Sequence, residues 1–168
     1  MTEPASHSVL PFAPRSSGET AQDQPPHEAS FHKADWPFYW ITQTSARYMQ
    51  VMEARLKDIG MDIAYWRVLM SLYEDQSLSI SEISAFCIIK PNTATKIIQR
   101  MTAQELVVTG ARASDGRVTE VTLTQAGHDM RKKARAIADE VFKRAFEDLS
   151  REEQMVMNLL LERVFKKL

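Results

Sequence analysis

Leu78-Ser79-Ile80-Ser81-Glu82-Ile83-Ser84, then Lys90-Pro91-Asn92-Thr93-Ala94-Thr95-Lys96, then Asp115-Gly116-Arg117 punctuate a stretch from Leu78 to Thr124 around which the chain is organised. Ser79 stands three residues before Glu82, the spacing at which a hydroxyl accepts from a backbone N–H while the carboxylate reaches back. A helix of about two turns is therefore expected from near Ile80, with Ile83, Phe86 and Cys87 inward. Pro91 has a fixed φ and no N–H to satisfy, which suits the first turn of a second helix expected from about Pro91 to Gln104. Ala94, Ile97, Ile98 and Met101 form its buried stripe. Its other face carries Asn92, Thr95, Lys96 and Gln99, flanked by Thr93 and Arg100, with no Glu before Glu105. Short hydroxyls, amides and cations of this kind bond phosphate oxygens and base edges in a major groove; an ordinary solvated helix is the other reading.

Leu106–Thr109 and Thr119–Leu123 read as strands, and Asp115-Gly116 as the turn of a hairpin whose tip carries Arg112 and Arg117. Between Lys90 and Arg117 five cations (Lys90, Lys96, Arg100, Arg112, Arg117) face two carboxylates (Glu105, Asp115), in a chain of net charge −1. Positive charge is thus concentrated where the second helix meets the hairpin.

At these residues the chain resembles the MarR family of winged helix-turn-helix transcriptional regulators. The resemblance rests on Ser81-Glu82-Ile83-Ser84, Lys90-Pro91-Asn92-Thr93-Ala94-Thr95-Lys96, Met101-x-x-x-x-Leu106-Val107, and Asp115-x-Arg117-x-x-x-Val121-x-Leu123-Thr124-x-x-Gly127. It runs from about Trp36 to the C-terminus and includes Gly60-Met61 and Trp66-Arg67-Val68-Leu69. It implies a mostly α, α+β winged-helix fold with about six helices and a two- or three-stranded wing, intertwined as a homodimer through its N- and C-terminal helices. It implies double-stranded DNA as partner, with Ser81, Pro91, Asn92, Thr93, Thr95, Lys96, Gln99 and Arg100 on the reading helices, and Arg112, Asp115 and Arg117 on the wing. Arg117 would enter the minor groove, held by Asp115. The chain departs from the family at Ile88 and Glu105, where Gly is usual, at Lys90, often a capping Ser, and at Thr109, often a strand Arg. Loss of both glycines points to altered loop geometry.

At 168 residues with 44% apolar content, one domain with arms is expected. Residues 1–33 hold five of the seven prolines among Ser, Gln and Glu, and read as an unstructured arm. Residues 34–60 read as a first dimerisation helix, capped by Asp35 and stopped at Gly60. Residues 61–124 form the DNA-binding unit, entered by a helix capped at Asp62. Residues 125–168 read as two further dimerisation helices, the first capped by Thr124 with Met130, Ala134, Ile137, Val141 and Ala145 on one stripe. The second starts at a Ser150/Glu153 capping box and carries Met155, Leu159, Leu160, Val164 and Leu168. Three amphipathic helices at the two ends of a small domain call for a second copy as cover, and two-fold symmetry then asks for a pseudo-palindromic operator.

No Gly-rich phosphate loop, metal-ligand spacing or nucleophile motif is present, so neither enzyme activity, cofactor nor metal is expected. The near-neutral charge argues against indiscriminate coating of nucleic acid while leaving room for a local basic face. No signal peptide or membrane span is legible, and a cytoplasmic location is expected. Cys87 falls on an inward register and reads as an inert thiol. A small-molecule pocket is expected from Trp40, Thr44 and Arg47 on the first long helix and Trp66, Arg67 and Met70 on the next. Aromatic walls with a cation suit an aromatic or phenolic acid; packing within a dimer core is the alternative for the same residues. The rival to a ligand-responsive DNA-binding regulator, which the resemblance implies to be a repressor, is a winged-helix protein-interaction module without DNA binding.

Overall fold

The computed structural model describes residues 32–74 and 77–168; apart from His32 and Lys33, the expected N-terminal arm lies outside them. Six helices and one antiparallel sheet follow in the order α1 (Pro37–Leu56), α2 (Ile63–Ser71), β1 (Ser77–Ser79), α3 (Ile80–Phe86), α4 (Pro91–Ala103), β2 (Val107–Arg112), β3 (Asp115–Leu123), α5 (Gln125–Ala145) and α6 (Arg151–Phe165). The sheet order is β1-β3-β2. This is the mostly helical, three-stranded winged-helix architecture expected.

The core lies where the helices meet the base of the wing. Met52 and Leu56 of α1, Val68 and Leu69 of α2, Ile83 of α3, Ile98 and Met101 of α4, and Val107 and Val121 of the sheet are all buried. The α4 stripe of Ala94, Ile97, Ile98 and Met101 is buried as its spacing requires. On α3 Ile83 and Ser84 are buried, as is Cys87 at its C-cap, while Phe86 is 59% exposed. Phe86 sits about 100° of helix rotation short of Cys87, which takes it off the stripe and corrects its expected inward position.

Capping follows the residues in most places. Ser79 and Glu82 form the reciprocal box at α3, as Ser150 and Glu153 do at α6. The Asp62 carboxylate accepts from Tyr65 N–H at 2.8 Å at the start of α2. Asp35 does not cap α1: it closes a 3-10 turn, Trp36 stands at the N-cap position without capping the helix through its side chain, and Pro37 opens the helix. The hairpin turn falls on Ala113 and Ser114, two residues before the expected Asp115-Gly116. Arg112 pairs with Asp115 while Ala111 pairs with Thr119, so Gly116, Arg117 and Val118 are an unpaired bulge on β3.

Three helix ends share one device, in which an N–H bonds the carbonyl five residues back across a left-handed residue. Met61 reaches Leu56 (3.1 Å), Ile89 reaches Ser84 (3.0 Å) and Leu106 reaches Met101 (3.0 Å). The residues spanned are Gly60 at φ 71°, Ile88 at φ 50° and Glu105 at φ 56°. The loop geometry is therefore retained where altered geometry was expected, with side chains in conformations that favour glycine. Because left-handed backbone costs a side chain roughly 1–2 kcal/mol while glycine adds unfolded-state entropy, Ile88→Gly and Glu105→Gly should each stabilise the fold by about 0.5–1 kcal/mol. Urea unfolding at fixed protein concentration measures this; unchanged or lowered midpoints for both would show that neither turn is strained.

Gly127 is required for a different reason. A Cβ there would lie 2.0 Å from the Leu106 carbonyl oxygen, because α5 starts directly on the α4–β2 turn. The Thr124 hydroxyl accepts from Gly127 N–H at 3.0 Å and donates to the Glu105 carbonyl at 2.6 Å. Thus the base of α5 is locked to the turn between α4 and β2. No helix among the described residues is long and apolar enough to cross a membrane.

Candidate nucleic-acid interface

On α4 the side chains of Asn92, Thr93, Lys96 and Gln99 are exposed, and among the described residues none pairs with them. Asn92, Lys96 and Gln99 project opposite the buried stripe, so their amide and ammonium groups are presented to whatever approaches this face. Pro91 is exposed at the helix start. Thr95 is half-buried on the flank and donates its hydroxyl to the Pro91 carbonyl at 3.0 Å, which leaves it only acceptor capacity outward. Arg100 is turned away: it pairs with Asp62 at 3.6 Å and lies over the Tyr65 ring at 5.3 Å. Ser81 is exposed in the first turn of α3.

The wing separates its two arginines. Arg117 projects from the bulge with its side chain 91% exposed, its Nε and Nη2 held by the Asp115 carboxylate at 3.1 and 3.2 Å. Asp115 also accepts from Arg117 N–H at 3.1 Å; these bonds hold its carboxyl below the usual aspartate range. The fork points the guanidinium outward while leaving donors available. Arg112, expected beside it at the tip, folds back to Glu120 at 2.6 Å and Glu82 at 2.8 Å, because two carboxylates on one side of the sheet outcompete solvent for it. The Glu82 carboxyl is pulled from an ordinary 4.5 to about 2, first by the Ser79 hydroxyl, then by Ser79 N–H and Arg112. With its folded pKa lowered, this cap is fully in place above the ordinary glutamate range and is lost only as pH falls through that range toward 2.

Behind the interface, α1, α2 and α5 line a half-open chamber of about 370 Å³ bordered by Tyr48, Trp66, Met70, Arg135, Ala138, Asp139, Val141, Phe142, Ala145 and Phe146. Trp66 Nε1 donates to the Tyr48 hydroxyl at 3.3 Å, and Phe142 stacks on Phe146 with centroids 4.8 Å apart. Its cation is Arg135, bonded to Asp139 at 2.7 Å and lying over the Tyr73 ring at 5.5 Å. Of the expected pocket residues, Trp66 and Met70 are here. Trp40, Thr44 and Arg47 line an adjoining groove, which shares Tyr48, Val141 and Ala145 with the chamber. Arg67 is in neither: one residue on from Trp66, it turns toward α3 and donates to the Cys87 carbonyl. Arg135, Tyr48 and Phe142 were missed, although Arg135, Ala138 and Phe142 already form a second row on α5 beside its core stripe.

Cys87 is 2% exposed, and burial pushes its thiol pKa up, the opposite of an activated cysteine. No cluster of three metal-ligating side chains occurs among the described residues.

A model of the MarR family matches residues 59–118. The chain is 40% identical over 156 residues to the HTH-type transcriptional repressor IacR of Pseudomonas putida, covering 93% of this chain and 92% of that one. Among solved structures it is similar to BpsR of Bordetella bronchiseptica, with TM-score 0.70, 20% identity and coverage of 81% of this chain and 97% of that chain. It is also similar to a mutant MarR of E. coli complexed with operator DNA, with TM-score 0.66, 17% identity and coverage of 74% and 89%. At these identities the two structures show the fold, and the repressor relative shows the family. A winged helix-turn-helix unit with an exposed polar face on α4, in a chain matched along nearly its whole length by such a repressor, places this chain in the MarR family as a DNA-binding transcriptional regulator.

Proposed function

We propose that two copies of the chain bind a pseudo-palindromic operator and repress transcription from it, and that an aromatic or phenolic acid seated in the chamber weakens that binding. The observation that carries the DNA reading is the unpaired Asn92, Thr93, Lys96 and Gln99 face on α4, with Arg117 extended from the wing. These groups would read the major groove, with Ser81, Pro91 and Thr95 bordering it, while Arg117 held by Asp115 would enter the minor groove. Arg100 and Arg112, already engaged within the chain, would contribute structure. Footprinting on the intergenic DNA upstream of the chain's own coding sequence tests this; protection of a two-fold-related site is expected, and uniform protection would contradict it.

Residues 34–60 and 125–168 would supply the dimer, and 61–124 the reading unit. Seven large apolar residues of α6, from Met155 to Phe165, are 40–65% exposed, a surface that a second copy would cover. The ligand reading rests on the chamber's aromatic walls and Arg135, and is supported by BpsR, whose DNA binding is regulated by 6-hydroxynicotinic acid. A carboxylate bonded by Arg135 would replace Asp139 as its partner. Since α5 lines the chamber and is locked through Gly127 to the turn after α4, a ligand that favours one α5 position biases the spacing of the reading helices, with leverage equal to its differential affinity for the two geometries.

A charged hydrogen bond of this kind contributes about 1.5–3 kcal/mol, so Arg135→Gln should weaken binding of 4-hydroxybenzoate or a similar acid at least about tenfold. DNA affinity should stay nearly unchanged, and Arg67→Ala should leave the ligand response intact. Calorimetry over a panel of aromatic acids checks both; no heat with any acid would remove the chamber as a ligand site.

A further inference from the structure

Arg112 lies near the tip of the wing, in the pair with Asp115 that closes the turn just beyond the bulge carrying Arg117. Its Nε bonds Glu120 on β3 and its Nη2 bonds Glu82 on α3. Glu82 Oε2 in turn accepts from Ser79 N–H at 2.6 Å, and Ser79 pairs with Glu120 across the sheet. One guanidinium therefore ties the first reading helix, the edge strand and the central strand together. On its other side it faces Asp115 across the hairpin, the residue whose carboxylate holds Arg117, and its positive charge is felt there.

Two carboxylates against one guanidinium leave this group a net negative charge, and the Arg112 side chain is only 29% exposed. A cation compensated in that way releases few counterions on meeting a phosphate, so it does not do the work of a direct DNA contact. What it does fix is the position of the wing relative to α3, which is separated from it by 30 residues of chain. Without that tie, the hairpin beyond Ala111 would be held by the Asp115 pairing alone, next to three unpaired residues.

We propose that Arg112 is a positioning residue that latches the wing to the helix-turn-helix, and acts on DNA only through the placement of Arg117. This rests on the DNA-binding reading above. The latch fixes the finger before DNA arrives, so the ordering cost is met in folding and not in binding.

The test uses the full-length protein and a duplex that the wild type selects from a random library, read by fluorescence anisotropy across a salt series. Arg112→Ala should weaken binding about five- to tenfold at every salt concentration, leaving the salt slope unchanged. Arg112→Lys keeps the charge but not the fork, and should behave like Arg112→Ala. In an Arg117→Ala background, Arg112→Ala should cost less than about twofold more, because the group it positions is already gone. In the free protein, amide exchange at Gly116–Val118 should rise in Arg112→Ala and in Glu120→Gln, the second variant serving if the first fails to fold. A salt slope flattened by about one unit per subunit, with losses additive to Arg117→Ala, would make Arg112 a phosphate contact and overturn the proposal. Unchanged affinity or unchanged exchange would overturn it equally. A wild type that selects no duplex would instead refute the DNA-binding reading, and the exchange experiment would still decide whether the latch holds the wing.

Discussion

A chain ending at Ser150 should lose its dimer and, with it, most of its affinity for operator DNA. In the described structure α6 buries none of its residues, and Met155, Leu159, Leu160 and Val164 are 62%, 54%, 52% and 40% exposed. Between α1 and α6 runs an apolar trough lined by Pro37, Trp40, Ile41, Val156, Met157, Leu160, Leu161 and Val164. Full burial of a Leu, Val or Met contributes about 1.5–3 kcal/mol; these residues are already about half-buried, so covering them on two subunits gains a sum comparable with an association cost of about 4–15 kcal/mol. The loss would not come from uncovering Met130, Ile137 and Val141, as their spacing first suggested, since these pack against the core of their own subunit. It would come from removing the α6 surface itself. Half-sites then bind independently, and operator affinity should fall on the order of 10²–10⁴-fold. Leu160→Glu should do the same with the chain kept whole. Sedimentation velocity and anisotropy measure the two effects; a folded wild-type monomer at micromolar concentration would contradict the dimer.

Reading helix and wing should contribute separable terms. Gln99→Ala removes an exposed amide opposite the buried stripe of α4, and should cost about 1–3 kcal/mol on the cognate site while relaxing preference at the base it contacts. Arg117→Ala removes a cation standing 91% exposed on the bulge. It should weaken cognate and scrambled duplexes alike and flatten the salt slope by about one unit per subunit. Asp115→Ala should follow more weakly, because the carboxylate orients the arginine without touching DNA. Matched and scrambled duplexes across a salt series distinguish these outcomes. An Arg117→Ala variant unchanged in both affinity and slope would mean that the hairpin is not a DNA-binding wing.

Local rules carried most of the fold. Ser79/Glu82, Ser150/Glu153, Asp62 and Thr124 each decide a helix start within four residues, and the α4 stripe needs only its own spacing. Reading failed where distant residues compete for one side chain. Arg112 and Glu82 are 30 positions apart, Arg67 and Cys87 are 20 apart, and Arg100 finds Asp62 only after α2 and α4 pack. No spacing within a helix reports such partners, so three arginines assigned to DNA or ligand proved to be engaged within the chain. β1 is three residues long, too short for any alternation to show. Ile88 and Glu105 mark the converse case: the residues argued for changed turns, yet the hydrogen bonds closing α3 and α4 hold both in the left-handed conformation.

The central claim is that two α4 helices read two half-sites as one rigid unit. The most direct measurement is the affinity of the wild-type protein for its selected duplex against the same duplex with about five base pairs inserted at the dyad, which turns one half-site to the opposite face of the DNA. The account predicts that the insertion lowers affinity to the level of scrambled DNA. Equal affinity for the two duplexes would contradict it.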